Sequence, residues 1–453
     1  MAEVYQYMTQ ATAKQQIANR LFDPNKVFWT DAELTLYLQE ALHTWNSLTS
    51  YWRGDFIFST RVGVIYYDLT DTTNLPNTLR PLTLHDTDLY SIIQYHLLEP
   101  VSWNPWTGES AQFTPDDLLE AVSRRRDEIL GVSGCTITTS QIPAVSGRTA
   151  LNDKVIDVRT MFYIPAIGSP SVMWPEDIWA LQSFQISYLQ NPAGTPFMFV
   201  LSTEPPISFD TDRAPGFAGS YELITVNAGP VLTIPTPTLL SIPDDWAYVI
   251  KWGALFDLLS RESNSRDSLR AAYCEQRYRM GLKLLSQAPA ILAVRSNNAN
   301  VPVQIDAIAE ANRYRTGWRG EANGPPNAVF QSGLNLLAVA PPPDNGGGNN
   351  YSLTVTVVEN APIPVNDADF IQAGRDDLDV ILGYAQHLAA FKMGGTEFTS
   401  TISLLERFLK QAEIYGLKLK ELGEFTTTIY TLAQTEEFAN PRLPREVMDD
   451  ASS

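Results

Sequence analysis

One amphipathic helix start occurs twice in this chain, 84 residues apart. The first, TDAELTLYLQEALHTW, begins with Thr30, and the second, TPDDLLEAVSRRRDEIL, begins with Thr114. In both, the threonine can accept a hydrogen bond from a free amide of the first turn, and an acid three positions later, Glu33 or Asp117, completes a capping box. Apolar residues then recur every three or four positions, which predicts a helix with one buried face. The repeated start indicates two similar folding units.

The segments that follow the two helix starts also correspond. A strand-like FIFSTRVGVIYYDL (56–69) and a helical DTDLYSIIQYHLLEP (86–100) follow the first start. A strand-like KVIDVRTMFYIPA (154–166) and a helical WPEDIWALQSFQISYLQ (174–190) follow the second. β-Branched and aromatic residues predict the strands. A helix, a strand and a helix therefore recur in the same order.

The second half of the chain contains a pair of its own. The strand-like SYELITVNAG (220–229) leads into the helical PDDWAYVIKWGALFDLL (243–259), and NYSLTVTVVENAPIP (350–364) leads into RDDLDVILGYAQHLAAF (375–391). The acidic starts of these two helices are 132 residues apart. Each helix is followed by a polar gap and by a further helix that contains GLKL near its end.

The order of these four blocks predicts a nested architecture. The two front blocks come first and the two back blocks follow in reverse order, as when a whole domain is inserted into a similar one at an exposed loop. We therefore predict an α+β protein of helical bundles with small antiparallel β-structures, in which residues 105–293 form a domain inserted into an outer domain, residues 1–104 and 294–435. Residues 436–453 are predicted to form a C-terminal arm or tail. Two tandem domains with coincidental helix similarity are the alternative.

The net charge bears on the class of partner. The chain carries 51 acidic and 32 basic residues, a formal charge of −19. A surface that grips DNA needs Lys and Arg facing the phosphates, so the composition argues against a DNA-wrapping protein, although an acidic lining would let DNA slide past. Solubility alone is the other interpretation. No signal-peptide pattern opens the sequence, and no apolar run approaches the ~20 residues of a membrane helix, so we expect neither an export signal nor a membrane partner.

The sequence lacks the patterns of common active sites. The motifs GxSxG, GxxxxGK[ST] and GxGxxG are absent, and the two cysteines, Cys135 and Cys274, form no CxxC pair. The histidines have no partner at a metal-ligand spacing, so we expect structural or surface roles for His43, His85, His96 and His387. We expect neither an enzyme nor a bound metal or cofactor.

Two close carboxylate pairs could support acid–base catalysis or bind calcium. They are Asp86 with Asp88 and Asp210 with Asp212. With 51 acidic residues such pairs arise often, and negative charge near a helix N-terminus is stabilising in itself. We expect structural roles for both pairs, and a hydrolase that uses an acidic pair is the alternative from another functional class.

One basic run lies within the second repeated helix. It consists of Arg124, Arg125 and Arg126. A solvated helix face neutralised by nearby acids (Glu120, Asp127 and Glu128) is one interpretation. A contact with phosphate or with another subunit is the functional interpretation, and between these two the subunit contact is preferred.

The final third of the chain resembles a known family. In GWRGEANGPPNAVFQSGLNLLAVAPPPDNGGGNNYSLTVTVVENAPIPVNDADFIQAGRDDLDVILGYAQHLAAF, a Trp and a Gly-Pro turn precede a strand, a PPPD exit, a second strand and an Asp-rich entry into a long helix. Together with WTDAELTLYLQEAL (29–42), this order resembles the head-to-tail adaptor, or connector, proteins of tailed bacteriophages, which include tubular tail protein A. The resemblance covers the front and back blocks well and the inner blocks more weakly.

The resemblance implies a non-enzymatic virion protein that is assembled in the host cytoplasm. Adaptors of this kind form a homo-oligomeric ring in the neck, below the portal protein and above the tail or a further neck protein. DNA passes through the lumen during ejection without sequence-specific binding. A C-terminal arm (436–448) is implied to reach the portal or a neighbouring subunit, with anchors at Phe438, Pro441, Leu443 and Pro444. Typical adaptors are single domains, so the ring stoichiometry stays open, and a stopper or tail terminator is the alternative neck component.

Overall fold

The chain folds into helices and sheets in comparable measure, which confirms the α+β class. The computed structural model describes residues 5–70, 82–98, 113–184, 191–202, 207–233, 236–261, 267–286, 288, 291–297, 301–344 and 351–421. The helices in this part are α1 (Gln10–Arg20), α2 (Asp31–Thr49), α3 (Asp86–Leu97), α4 (Pro115–Ser133), α5 (Ile178–Phe184), α6 (Ala247–Leu259), α7 (Ser268–Leu285), α8 (Ile308–Tyr314), α9 (Arg375–Phe391), α10 (Gly395–Ser400) and α11 (Ile402–Glu421).

The strands of the described residues form three sheets. They are β1 (Arg53–Ser59), β2 (Tyr66–Asp68), β3 (Ile137–Pro143), β4 (Thr149–Ala150), β5 (Val155–Pro165), β6 (Ser171–Pro175), β7 (Met198–Ser202), β8 (Ser208–Thr211), β9 (Gly219–Asn227), β10 (Ile291–Ser296), β11 (Val301–Pro302), β12 (Gln304–Ala307), β13 (Ala328–Ser332), β14 (Leu336–Ala340) and β15 (Ser352–Val358). The sheet orders are β1-β15-β10-β11, β12-β13-β14-β2 and β3-β9-β5-β6-β7-β8-β4.

Two strand pairs are parallel, where small antiparallel structures were predicted. They are β6 with β7 and β12 with β13. Parallel neighbours need a crossover connection, which often contains a helix. Here α5 lies between β6 and β7, and α8 lies between β12 and β13. The third sheet has seven strands and is larger than the sequence suggested.

The two predicted helix starts open helices of equal length. α2 and α4 each have 19 residues, and the hydroxyls of Thr30 and Thr114 accept bonds from the amides of Glu33 and Asp117. The capping box is complete in α4, because the Asp117 carboxylate accepts the Thr114 amide at 2.9 Å. In α2 the Glu33 carboxylate turns inward and pairs with Lys392 at 3.0 Å. The prediction of both N-termini is therefore confirmed, with half of the capping box in α2.

The C-terminal ends of these helices also match. Ser50 and Gly134 both adopt the left-handed conformation, and the amide of each donates to the carbonyl four residues earlier. One residue before, the hydroxyls of Thr49 and Ser133 bond to the carbonyls four residues earlier, at 2.7 and 2.5 Å. Gly134 is the residue expected at this position, since glycine takes positive φ at little cost. An offset of 84 residues relates every one of these contacts.

The helices pack as two similar sets around one core. α2 packs on α9 and α9 on α11, whereas α4 packs on α6 and α6 on α7. α1 adds to the first set by packing on α2 and α9, and α3 packs on α6 of the second set. The buried apolar side chains of both sets form one continuous cluster that includes the fully buried Trp45 and Trp252. The two sets are therefore joined by a common hydrophobic core.

The strands that follow α2 and α4 pair in the same register. β1 lies antiparallel to β15, with Arg53 opposite Val358, and β3 lies antiparallel to β9, with Ile137 opposite Val226. The 84-residue offset carries β1 onto β3, and the 132-residue offset carries β9 onto β15, so that all seven residue pairs of one ladder map onto the other. A third strand then lies beside β15 or β9 in each sheet, β10 or β5, also antiparallel. Offsets that come from the helices alone thus also relate the strand registers.

The predicted strand 56–69 is two strands in the structure. β1 ends at Ser59 and β2 begins at Tyr66. Gly63 between them has a φ of +71°, and the Val64 amide donates to the Arg61 carbonyl. A turn with positive φ cannot belong to a continuous strand. The apolar composition alone hid this break.

The strand and second helix that were matched across the repeat also need correction. The counterpart of β1 is β3, ITTSQIP, and not the segment 154–166, which forms β5. β3 lies at the edge of its sheet with mostly exposed side chains, so its polar sequence gave little strand signal. The segments 86–100 and 174–190 differ in place, since α3 packs on α6 whereas Leu181 of the seven-residue α5 packs on Val200 of β7.

The predicted domain boundaries fall in different kinds of place. Those at 104/105 and 435/436 lie outside the described residues. The boundary at 293/294 lies inside β10, which pairs with β15. The division into an inserted and an outer domain stays a prediction.

Candidate assembly surfaces

A buried ion pair joins the two helix sets where α2 meets α6. The Nζ of Lys251 lies 2.5 and 2.6 Å from the two carboxylate oxygens of Glu40, and both side chains are almost fully buried. The same Nζ is 3.3 Å from His96 Nε2 and 3.7 Å from the ring centroid of Trp252. Burial lowers the pKa of Lys251, and the Glu40 carboxylate opposes that effect. We call this contact between α2 and α6 the α2–α6 seam.

The acidic start predicted near residue 244 also belongs to the seam. Asp244 and Asp245 lie in a 3₁₀ turn directly before α6. Asp245 accepts the Asn46 amide at 2.6 Å and lies 2.8 Å from His43 Nδ1. Asp244 accepts the Thr83 hydroxyl at 2.6 Å. These carboxylates therefore bind the front part of the chain, in addition to any effect on the helix dipole.

Two histidines lie in the core beside the seam. His387 is bonded on both ring nitrogens, to the Thr401 hydroxyl at 2.8 Å and to the Tyr273 hydroxyl at 2.9 Å. Burial, and then the charge of Arg277, lowers the pKa of His387 to about 3. Burial likewise lowers the pKa of His96 well below its usual value. Both rings are neutral at physiological pH and act as packed core groups.

The two candidate carboxylate pairs hold backbone amides and an arginine. Asp86 accepts the amide of Thr238 at 2.9 Å, and Asp88 accepts the amide of His85 at 2.9 Å. Asp212 is fully buried and accepts the amides of residues 197 and 198 at 3.0 and 3.1 Å, while Asp210 pairs with an arginine at 3.3 Å. Such bonds give each carboxylate a structural role.

The basic run on α4 is engaged within the chain to different degrees. Arg125 donates to both carboxylate oxygens of Asp257, at 2.8 and 2.5 Å. Arg126 is buried and donates to a backbone carbonyl at 2.6 Å and to Asp127 at 2.8 Å. Arg124 lies 2.7 Å from Asp257, but 55% of its side chain is exposed. The subunit contact stays a prediction, and Arg124 is the member of the run that could make it.

The anchors implied for the C-terminal arm lie outside the described residues. They are Phe438, Pro441, Leu443 and Pro444.

Several large apolar side chains are exposed around the seven-stranded sheet. They are Ile167 (80% exposed), Trp174 (38%), Trp179 (77%), Phe197 (37%) and Phe217 (62%). Trp174 and Phe197 are neighbours, because the Trp174 amide donates to the Phe197 carbonyl at 2.8 Å. Exposed aromatic groups of this size are typical of surfaces that bind a partner.

A cavity of about 440 Å³ opens at the N-terminal end of α9. Leu378, Leu382 and Val380 form apolar wall, while Arg375 and Arg407 contribute charge. Asp376 and Asp379 and residues of α1 complete the lining. The cavity thus combines an apolar wall with charges of both signs.

In the part of the chain that the structure describes, no three His, Cys, Asp or Glu side chains are grouped so that they could hold a metal ion. None of the described helices is long and apolar enough to cross a membrane. No family model matches the chain, and no curated protein is significantly similar to it.

Sequence reasoning missed the Glu40–Lys251 pair. A signal was present, since Lys251 is the one cation inside the otherwise apolar segment WAYVIKWGALFDLL (246–259). A cation in a helix that is apolar all round is buried only with a partner. The partner could not be read from the sequence, because Glu40 lies more than 200 positions earlier.

Proposed function

We propose that this chain is a structural subunit of the neck of a tailed phage: an adaptor that forms a ring beneath the portal and a conduit for DNA. The observation that carries the proposal is the pair of strand ladders that the two sequence offsets superimpose, β1–β15 and β3–β9. A ring needs complementary surfaces that recur on each subunit. A chain with two like units supplies such surfaces twice, and the resemblance of its front and back blocks to adaptor proteins names the assembly.

The charge of the chain supports a conduit. A net charge of −19 per chain is multiplied around a ring. Like charges on the lumen and the phosphates repel, so DNA would pass without the counterion release that drives tight binding. Portal and tail proteins are then the partners above and below, the location is the virion, and no enzymatic step is required.

The alternatives differ in how the structure bears on them. A hydrolase is disfavoured, since the carboxylates of both candidate pairs accept backbone amides or arginine. The exposed Trp174, Trp179 and Phe217 favour one second candidate, a module that stacks sugar rings on aromatic side chains. Such a module would be monomeric and would bind glycans. A stopper or tail terminator remains the alternative within the neck.

Mass measurement by analytical ultracentrifugation, followed by negative-stain imaging, tests the proposal. We expect closed rings with a central opening, from the chain alone or after mixing with purified portal rings. A chain that stays monomeric under both conditions would contradict it. Glycan-array binding by that monomer would favour the sugar-binding module.

A further inference from the structure

One face of α4 is exposed although the matching face of α2 is buried. Leu48 of α2 is 4% exposed, and Val132, its counterpart at the 84-residue offset, is 56% exposed. The side chain of Glu40 is 5% exposed, and that of its counterpart Arg124 is 55% exposed. Two helices with the same caps and the same following strand thus differ in one covered face.

In α2 that face is covered by the start of the second helix set. Glu40 pairs with Lys251, Ser47 lies 3.1 Å from the Tyr248 hydroxyl, and Asn46 donates to Asp245. The covering surface is therefore the 3₁₀ turn before α6 and the first turns of α6. We call the corresponding face of α4 the α4 outer face, formed by Arg124, Asp127, Glu128 and Val132.

The corresponding covering surface on the other set is the start of α9. The 132-residue offset carries Asp244 onto Asp376 and Tyr248 onto Val380. Asp376 is exposed, and both Asp376 and Val380 line the cavity at the end of α9. The correspondence ends at Gly383, where a side-chain carbon would lie 3.8 Å from Leu404 of α11. The first two turns of α9 therefore present an open surface.

We propose that the α4 outer face of one copy docks on the first two turns of α9 in a second copy of this chain. The contact would repeat between chains the arrangement that the α2–α6 seam makes within one chain. Each copy then offers α4 on one side and α9 on the other, which is a heterologous contact that closes into a ring when the rotation permits. The inference rests on the proposed ring and names the surfaces that form it.

The charges of the two surfaces are complementary in both directions. The α4 outer face carries one exposed cation, Arg124, and two exposed acids, Asp127 and Glu128. The mouth of the cavity carries Arg375 and Arg407 together with Asp376 and Asp379. Arginine has five donors, so Arg124 can keep its bond to Asp257 and still bind a carboxylate of a neighbour. Charges placed in this way set the partner and its register.

Cysteine cross-linking tests the contact directly. Val132→Cys and Asp376→Cys in one chain, treated with a short bismaleimide, are expected to give a ladder of linked chains on a denaturing gel. The native Cys135 and Cys274 are buried and should not react. Equal amounts of the two single variants should give dimers and no higher species, because each chain then carries one half of the contact.

The matched control moves one cysteine to another exposed valine. Val145 lies after β3 and is 48% exposed, so Val145→Cys with Asp376→Cys should give no ladder. Linked dimers from Val132→Cys alone would indicate a symmetric contact and overturn the inference. Absence of a ladder from the double variant, under conditions where the wild-type chain assembles, would overturn it as well.

Sedimentation of charge variants separates this inference from the proposed function. Arg124→Glu should weaken association about tenfold, the effect of one lost charge pair of ~1.4 kcal/mol, and Asp376→Arg in the same chain should restore part of it. Since Arg124→Glu also places two acids beside each other at Asp257, Val132→Glu tests the face without touching an ion pair, with Val145→Glu as control. Rings that survive Val132→Glu would overturn the contact and leave the adaptor proposal standing. Open filaments that Val132→Glu dissolves would support the contact and contradict the ring, and a chain that never associates would contradict both.

Discussion

α2 and α4 begin, end and lead into a strand in the same way, yet α2 buries 13 of its 19 residues and α4 only six. The shared features are local: a threonine cap, an acid in the first turn and a left-handed C-terminal residue. The difference comes from the contacts of the second helix face. In α2 this face meets α6 in the seam, whereas in α4 it meets solvent within one chain. Local sequence therefore sets where a helix lies along the chain, and its neighbours in space decide how many faces are buried.

The largest effect should come from breaking the charge pair in the buried face of α2. Glu40→Ala leaves Lys251 buried without its carboxylate, and we expect a loss of about 3–5 kcal/mol in the free energy of unfolding. Arg124→Ala at the matching position of α4 should cost below about 1 kcal/mol, because more than half of that side chain is exposed. Urea unfolding of the monomeric protein measures both. Equal losses at the two positions would contradict the difference between the faces.

An apolar pair gives the same comparison without charge. Leu48→Ala should lower the free energy of unfolding by about 2–5 kcal/mol, since the leucine is buried and its removal leaves a cavity. Val132→Ala should change it by less than about 0.5 kcal/mol in the monomer. Thermal unfolding at a concentration below assembly checks the pair. A large loss for Val132→Ala in that state would mean that the α4 outer face is already covered within one chain.

The helix sets should also differ in their response to pH. His387 of α9 takes the place of the apolar Leu255 in α6 at the 132-residue offset. The pKa of His387 is lowered to about 3 by burial and by the charges of Arg277 and Lys251. As pH falls below about 6.5, the unfolded chain binds a proton that the folded chain does not, so stability decreases by up to about 1.4 kcal/mol per pH unit down to about pH 3 and does not change above pH 6.5.

Unfolding free energies at pH 7, 6 and 5 test this, with His387→Leu as the variant suggested by the other helix set. The variant should lose part of the slope below pH 6.5 whatever its stability at pH 7. His96, whose pKa is lowered in the same direction, should account for a share of the remaining slope. A slope unchanged by His387→Leu would contradict the assignment.

The features that the sequence predicted well depend on neighbours along the chain. Thr30 and Thr114 located two helices, and the acidic start at residue 376 located α9. The features that it missed depend on contacts across the chain. β3 is polar because it is an edge strand, and the partner of Lys251 was fixed only when α2 met α6. The offsets of 84 and 132 residues are the exception, since they were read locally and yet relate the long-range registers of two sheets.

The smallest effect should come from the caps, where the two helices are most alike. Thr30→Ala and Thr114→Ala each remove a hydroxyl that accepts a first-turn amide, at 3.3 and 3.2 Å. We expect a loss of about 1 kcal/mol in each case. Thr114→Ala also removes the hydroxyl that lies 2.7 Å from the Asp117 carboxylate, whereas Glu33 keeps its bond to Lys392 in Thr30→Ala, so the loss in α4 should be the larger of the two. Urea midpoints of the two variants, with Thr30→Ser and Thr114→Ser as controls that keep a hydroxyl, measure the difference. A larger loss at Thr30 would mean that the seam, and not the cap, fixes the start of α2.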